Sequence, residues 1–356
     1  MRFSSIFVPD HGLYRLNDDV VRFFVRAASL RTFRTNSLFT PSLLNVVNDS
    51  DDLENKFRAV FSNLNAAGIN KTFVSSVIAH NNQINQLLTD TLFPIEVLPS
   101  PLYNVLNVSI RNLYSHLWSS TIKTQTCINN YGSIIEHYTL FDQINRNTAD
   151  RICCFCGLEK LTNPKEKRNE YDHYLNKDSY PYSAINFRNL VPMCDTCNKS
   201  PNKGPKNMII NENTHARRIA YDPYSPVEVF EVSLASMDLF GAQCEWQAQA
   251  VCLNNNQAFD TWKLIFNIDF RYSNHVDSSY ERWLKNFNAY FHRQTPNDLI
   301  ELRSRIDSYL TFKNDCALEE GDFIEKKFWE HFHDVSDEDL SLFIDYLQET
   351  NDYLNN

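Results

Sequence analysis

Two Cys-x-x-Cys pairs, Cys153 with Cys156 and Cys194 with Cys197, constrain this chain more than any other feature. A Cys-x-x-Cys turn aims two thiolates at one centre, and two such turns supply the four sulfur ligands of a tetrahedral zinc. Gly157 follows the first pair and Asn198 the second, as suits a knuckle turn. With thiolate at all four positions no place is left for water, so the zinc is structural rather than catalytic. Cys154 interrupts the first turn and reads as a buried bystander. The cysteines outside the quartet, Cys127, Cys154, Cys244, Cys252 and Cys316, are irregularly spaced. That pattern argues against a disulfide framework and for a reducing cytoplasm.

Between the two turns lie Asp172-His173 and then Asn189. Neighbours on a strand point to opposite faces, so this carboxylate and this imidazole can serve separate tasks. Asp172 suits a hard cation and His173 suits a proton.

The order Cys-x-x-Cys, Asp-His, Asn, Cys-x-x-Cys-Asn resembles the HNH nuclease family, whose fold is the ββα-metal hairpin and helix. The resemblance rests on Asp172-His173-Tyr174-Leu175-Asn176-Lys177, on Asn189-Leu190-Val191-Pro192 and on Cys194-Asp195-Thr196-Cys197-Asn198. It covers residues 151 to about 206. It implies that His173 is the general base and Asp172 the first ligand of a catalytic magnesium or manganese. Asn189 would then hold the loop and the base, and Asn198 would be the last metal ligand. Asn176 stands where relatives often carry proline, which softens the loop without removing a catalytic atom. Within the family the chain looks most like the zinc-stapled nuclease of Septu-type anti-phage defence, which pairs such a nuclease with an ATPase. The expected activity is thus a metal-dependent endonuclease that hydrolyses phosphodiester bonds, with DNA the foremost substrate and a protein partner such as an ATPase subunit. A zinc-knuckle binding module without cutting activity is the alternative from another class. An RNA or structure-specific nuclease is a third reading.

Charge fits a local nucleic-acid face. The chain carries −10 overall, yet residues 151–218 carry a net +5 and the remainder −15. Lys203 and Lys206, in a Pro/Gly-interrupted tail after the second knuckle, are the candidate phosphate contacts. The rest of the chain reads as mainly helical. Apolar residues recur at helical spacing over 17–31, 51–67, 71–92, 109–118 and 132–144, then over 258–272, 280–292, 298–312 and 321–354. Residues 227–234 and 244–252 alternate as strands and could pair as a hairpin. Trp262, Phe266, Tyr272 and Trp283 read as core. The expected fold is therefore α+β, mainly helical, with a central ββα-metal core. Its parts are 1–149, a helical partner-binding or oligomerising region; 150–220, the nuclease domain; and 221–356, short strands then helices. No apolar run approaches membrane-spanning length and no signal-peptide pattern opens the sequence, so the expected location is cytoplasmic.

Overall fold

Capping residues set several of the helix starts in the first third of the chain. Thr40 and Ser50 accept the backbone N–H groups of Leu43 and Leu53, each satisfying a donor that the helix itself leaves open. Pro41 takes the first helical position, where its missing N–H costs nothing. Asp51, Asp52 and Glu54 crowd a helix start whose dipole favours them. The structure, a computed structural model, describes residues 9–145, 152–163, 169–225, 230–237, 244–252, 256–315 and 321–355. The boundary expected near 149, most of the charged 163–168 loop, the start of the 227–234 strand and Cys316 lie outside the described residues.

The helices before the cysteines are α1 (Leu13–Ser29), α2 (Thr35–Leu38), α3 (Pro41–Asn48), α4 (Asp51–Leu64), α5 (Lys71–Asn81), α6 (Ile84–Thr89), α7 (Asn104–Ser119), α8 (Gln125–Tyr131) and α9 (Ile134–Asn145). In α1, Leu13, Leu16, Val20, Phe23, Phe24 and Ala27 are buried along one face, the stripe that an amphipathic helix turns to a core. Phe23, Phe39 and Phe57 pack there with ring centroids 4.8–5.5 Å apart. The continuous helix expected over 71–92 is two helices. The Asn81 and Asn82 side-chain amides donate to the carbonyls of Val77 and Ile78 and also to those of Glu96 and Tyr182. Such side chains offer the backbone an alternative to helical bonding, and α5 ends there.

The middle of the chain supplies β1 (Tyr171–His173), antiparallel to β2 (Leu190–Pro192), with Asp172 opposite Val191 and His173 opposite Leu190. The one-turn helix α10 (Asp195–Asn198) follows, so the order is strand, strand, helix. Beyond it, β3 (Glu231–Met237) pairs with β4 (Glu245–Val251) as a hairpin. The last helices are α11 (Gln257–Phe266), α12 (Ile268–Tyr290), α13 (Leu299–Asp315), α14 (Asp322–Asp334) and α15 (Asp337–Asn355). Ser336 caps α15, accepting from the Asp339 N–H at 3.1 Å. The break expected after Tyr272 falls instead at Asn267, whose φ of 53° is left-handed; asparagine tolerates that region better than most residues. The α12 helix then runs on through a polar stretch because Tyr272, Val276, Ser279 and Trp283 keep one face buried. From the same helix Asp269, Ser273 and Asp277 accept the N–H groups of Ala250, Ala248 and Trp246. These bonds cover the free edge of β4, which would otherwise invite another strand.

Two cores result. Among the described residues, one gathers α1 to α5 and α7 to α9 with Tyr171, Tyr182, Ile185, Phe187 and Leu190, while Ile84, Leu87 and Leu88 of α6 and Phe141 of α9 pack in the second. The other gathers the four knuckle cysteines, Val191, Met193 and Met208 with β3, β4 and the last helices. The β1–β2 hairpin is thus shared between them. Among the described residues, no helix is long and apolar enough to cross a membrane.

His137 joins α9 to the hairpin. It is fully buried, its Nδ1 lies 2.5 Å from the Tyr171 hydroxyl and its Nε2 3.1 Å from that of Tyr14. Burial, aided by nearby His11, pushes its pKa down to about 3. The unfolded chain therefore takes up a proton near pH 6.5 that the folded chain refuses. Stability from this residue is complete above about pH 6.5 and declines as pH falls towards 3, by about 2–3 kcal/mol at pH 4.5. Unfolding midpoints at pH 7 and 4.5 should differ less in His137→Asn than in the parent. Equal pH dependence in both would show that His137 is not the group responsible.

Candidate metal centre and adjoining hairpin

The four cysteines meet as their spacing requires. Cys153, Cys156, Cys194 and Cys197 are all buried, with their sulfurs within 4.8 Å of one another. The Cys153–Cys197 and Cys156–Cys194 sulfur separations are 3.9 and 3.8 Å. A disulfide would need about 2 Å, whereas a tetrahedron with arms of about 2.3 Å has edges near 3.8 Å. The donor set therefore fits zinc.

Local backbone makes each turn. The Gly157 N–H bonds the Cys153 carbonyl at 2.8 Å, and Gly157 does so at a φ of 67°, a left-handed value that costs glycine little. In the second knuckle the Cys197 N–H points at the Cys194 sulfur, which caps α10. Cys154 is half-buried and outside the quartet.

The last helices wrap the first knuckle. Trp262 Nε1 donates to the Phe155 carbonyl at 2.7 Å and the Tyr272 hydroxyl to that of Cys156 at 3.1 Å. Arg271 Nη1 lies 3.1 Å from the Cys197 sulfur. Burial alone would lower the Arg271 pKa; the sulfur charges of Cys156 and Cys197 outweigh it and raise the pKa. A positive partner suits four thiolates, which leave a net negative charge even around zinc. Trp262, Phe266, Tyr272 and Trp283 are buried, as read from the sequence.

On β1, Asp172 and His173 do point apart. His173 is half-buried with its Nε2 3.0 Å from the Ala184 carbonyl, and its ring meets Trp118 of α7 edge to face at 5.0 Å. A carbonyl can only accept, so Nε2 carries the proton and Nδ1 keeps its lone pair. Burial pushes the imidazole down to about 4; Lys177 and Lys203 add to the effect, and the Ala184 bond opposes it. At neutral pH the ring is uncharged and can take a proton.

Asn189 is fully buried and fastens the loop between the strands. Its Oδ1 accepts from the Leu175 N–H at 2.7 Å, and its Nδ2 donates to the Leu175 carbonyl at 3.0 Å and the Ser183 carbonyl at 3.4 Å. The segment so fixed includes Ala184, which orients His173. Asn198 ends α10, half-buried, with its backbone N–H on the Cys194 carbonyl.

Asp172 is placed differently from the expectation. It is buried, and Lys203 Nζ lies 2.9 Å from its Oδ1 and 2.7 Å from its Oδ2. The same ammonium donates to the His173 carbonyl at 2.8 Å. A cation serving a phosphodiester must reach both carboxylate and substrate, but here the carboxylate is sealed from solvent and faces an ammonium. At Asp172 an ammonium therefore stands where the resemblance leads one to expect magnesium or manganese.

Lys203 itself is 1% exposed, so it does not face phosphate. Lys206 is half-buried and donates to the Ile265 carbonyl. Arg217 and Arg218 likewise turn inward, onto the carbonyls of Leu87, Asp90 and Phe93 and of Asn207 and Ile210. Much of the local positive charge therefore serves internal carbonyls. Lys177 and Arg188 remain exposed on the loop between β1 and β2. Sequence reasoning gave no role to Trp118, to Arg271 or to Lys177, which ends the Asp172–Lys177 stretch.

Over 92 residues the chain is 33% identical to the Septu protein PtuB of Bacillus thuringiensis, which covers 25% of this chain and 32% of that protein. The chain thus spans about a third of the length of the curated relative it matches. No protein-family profile matches the chain, and no solved structure does.

Proposed function

We propose that the chain is a phosphodiester hydrolase of the HNH kind, cutting nucleic acid, with DNA the foremost substrate. The observation that carries this reading is His173: a neutral imidazole on a short hairpin, its Nε2 fixed by Ala184 and its Nδ1 left as acceptor, beside a four-cysteine centre. Zinc held by Cys153, Cys156, Cys194 and Cys197 supplies no chemistry to the substrate; it keeps the two knuckles, and so the hairpin, in place. In this mechanism Nδ1 takes the proton of an attacking water as its oxygen bonds to phosphorus; the P–O bond to the departing oxygen breaks, and that oxygen takes a proton from solvent. Asn189 keeps the loop and Ala184 where the ring needs them. The magnesium or manganese expected at Asp172 and Asn198 carries no step here, because Lys203 already holds that carboxylate.

The likeness to a Septu protein supports placing this activity in bacterial anti-phage defence, with a protein partner such as an ATPase subunit. The helices before residue 146 carry none of the chemistry and suit partner binding or self-association. Incubating the purified chain with plasmid and with RNA, alone and with a co-expressed ATPase, tests the reading. Nicked or linear plasmid is the expected product. Intact DNA and intact RNA under every condition, with zinc present in the protein, would remove the nuclease reading and leave a zinc-knuckle binding module.

Lys177 and Arg188 replace Lys203 as the expected phosphate contacts. Binding to DNA should weaken steeply with salt, because each phosphate contact releases a counterion. Lys177→Glu with Arg188→Glu should lower affinity by about tenfold or more at 100 mM salt and flatten the salt slope. A parent-like slope in that variant would place the phosphate face elsewhere.

A further inference from the structure

Lys203 is the feature that neither the sequence motif nor the proposed mechanism accounts for. A lysine that is 1% exposed is rare, and an unpaired buried ammonium is strongly disfavoured. This one is fully engaged: Asp172 Oδ1 at 2.9 Å, the His173 carbonyl at 2.8 Å and the Gly204 carbonyl at 3.4 Å. Asp172 Oδ2 lies closer still, at 2.7 Å, though off the direction of a hydrogen bond. The backbone of the same residue is tied to the second knuckle, its N–H donating to the Cys197 carbonyl at 3.2 Å. One residue therefore spans from a zinc ligand to the backbone of the catalytic imidazole and to the carboxylate beside it.

We propose that Lys203 is a positioning residue: its ammonium is the permanent counter-cation of Asp172, and the pair clamps the His173 strand to the zinc knuckle, so that Asp172 does not ligate a divalent cation. The proposal rests on the nuclease reading for the role of His173. Removing one member leaves the other charge buried without a partner, which costs far more than removing both. The clamp acts on the His173 main chain, so its loss displaces the base and slows the chemical step more than it weakens substrate binding.

The test is a double-mutant cycle in the full chain with zinc content verified: Asp172→Asn, Lys203→Met and the two together. Each single change should lower the melting temperature by about 5–10 °C, and the double variant should regain most of that. Each single change should lower kcat by about 10²-fold with KM little altered, and the double variant should lose about tenfold. Manganese binding, followed by electron paramagnetic resonance, should have the same Kd within about twofold in the parent and the double variant. A parent that binds no manganese supports the same conclusion about Asp172. A folded, zinc-loaded double variant that has lost the parent's manganese binding makes Asp172 a ligand and overturns the proposal. So do melting shifts that simply add, or a Lys203→Met chain that folds normally and binds manganese more tightly. Melting and manganese binding do not depend on cutting. A parent that fails to cleave any nucleic acid therefore overturns the nuclease reading while leaving these two measurements to decide the clamp.

Discussion

His173→Ala should fold, keep its zinc and bind DNA like the parent, yet lose cutting by about 10²–10⁴-fold, the usual contribution of a general base. The imidazole contributes one bond to the fold, from Nε2 to the Ala184 carbonyl, and one edge-to-face contact with Trp118. Neither supports the knuckles, because His173 points away from the Asp172–Lys203 side of β1 on which the cysteines lie. His173→Gln sharpens the test. Its amide can still donate to Ala184, but it offers no nitrogen basic enough to take a proton at neutral pH. Single-turnover cleavage should find both variants equally slow, with unchanged melting temperature and zinc content. If His173→Ala cuts at the parent rate, the imidazole is structural and the zinc-knuckle binding reading takes over.

What the sequence disclosed follows the range of each signal. The cysteine quartet was legible because each pair is a local turn and zinc dictates the rest. The opposed directions of Asp172 and His173 were legible because strand periodicity fixes them once β1 exists. Asn189 was expected to hold the loop, and its bonds to Leu175 and Ser183 do that. The partners of these residues were another matter. Lys203 stands in a Pro/Gly-broken basic tail, which reads as solvated, and only the tertiary fold turns its ammonium inward onto a carboxylate 31 residues earlier. Arg217 likewise reaches carbonyls 124–130 residues upstream. The net charge of the segment was correct, but its direction was not written locally. The helices fared the same way. Their apolar stripes were visible, whereas the stop at Asn82 and the left-handed Asn267 depend on side-chain bonds and backbone choices that periodicity does not encode.

Cys194→Ser should abolish zinc binding and unfold the hairpin, and this is the largest effect expected on stability. Structural zinc supplies on the order of 10 kcal/mol, comparable with the whole margin that keeps a typical domain folded. Serine is well suited as a control on everything except the metal. Cys194 is the N-cap of α10, its sulfur accepting the Cys197 N–H at 3.4 Å, and serine is a strongly preferred N-cap. The helix start therefore survives the change, and what is lost is the fourth thiolate. Without it the two knuckles separate, and with them go the bonds that Trp262 and Tyr272 make to the Phe155 and Cys156 carbonyls. Metal analysis should fall from one zinc per chain to none, and tryptophan emission should shift to the red as Trp262 meets water. Cys154→Ser is the matched comparison: the same substitution one residue from a ligand, at a half-buried position outside the quartet. It should keep one zinc and melt within a few degrees of the parent. Equal damage from the two changes would mean that the first turn is not the Cys153–Cys156 pair.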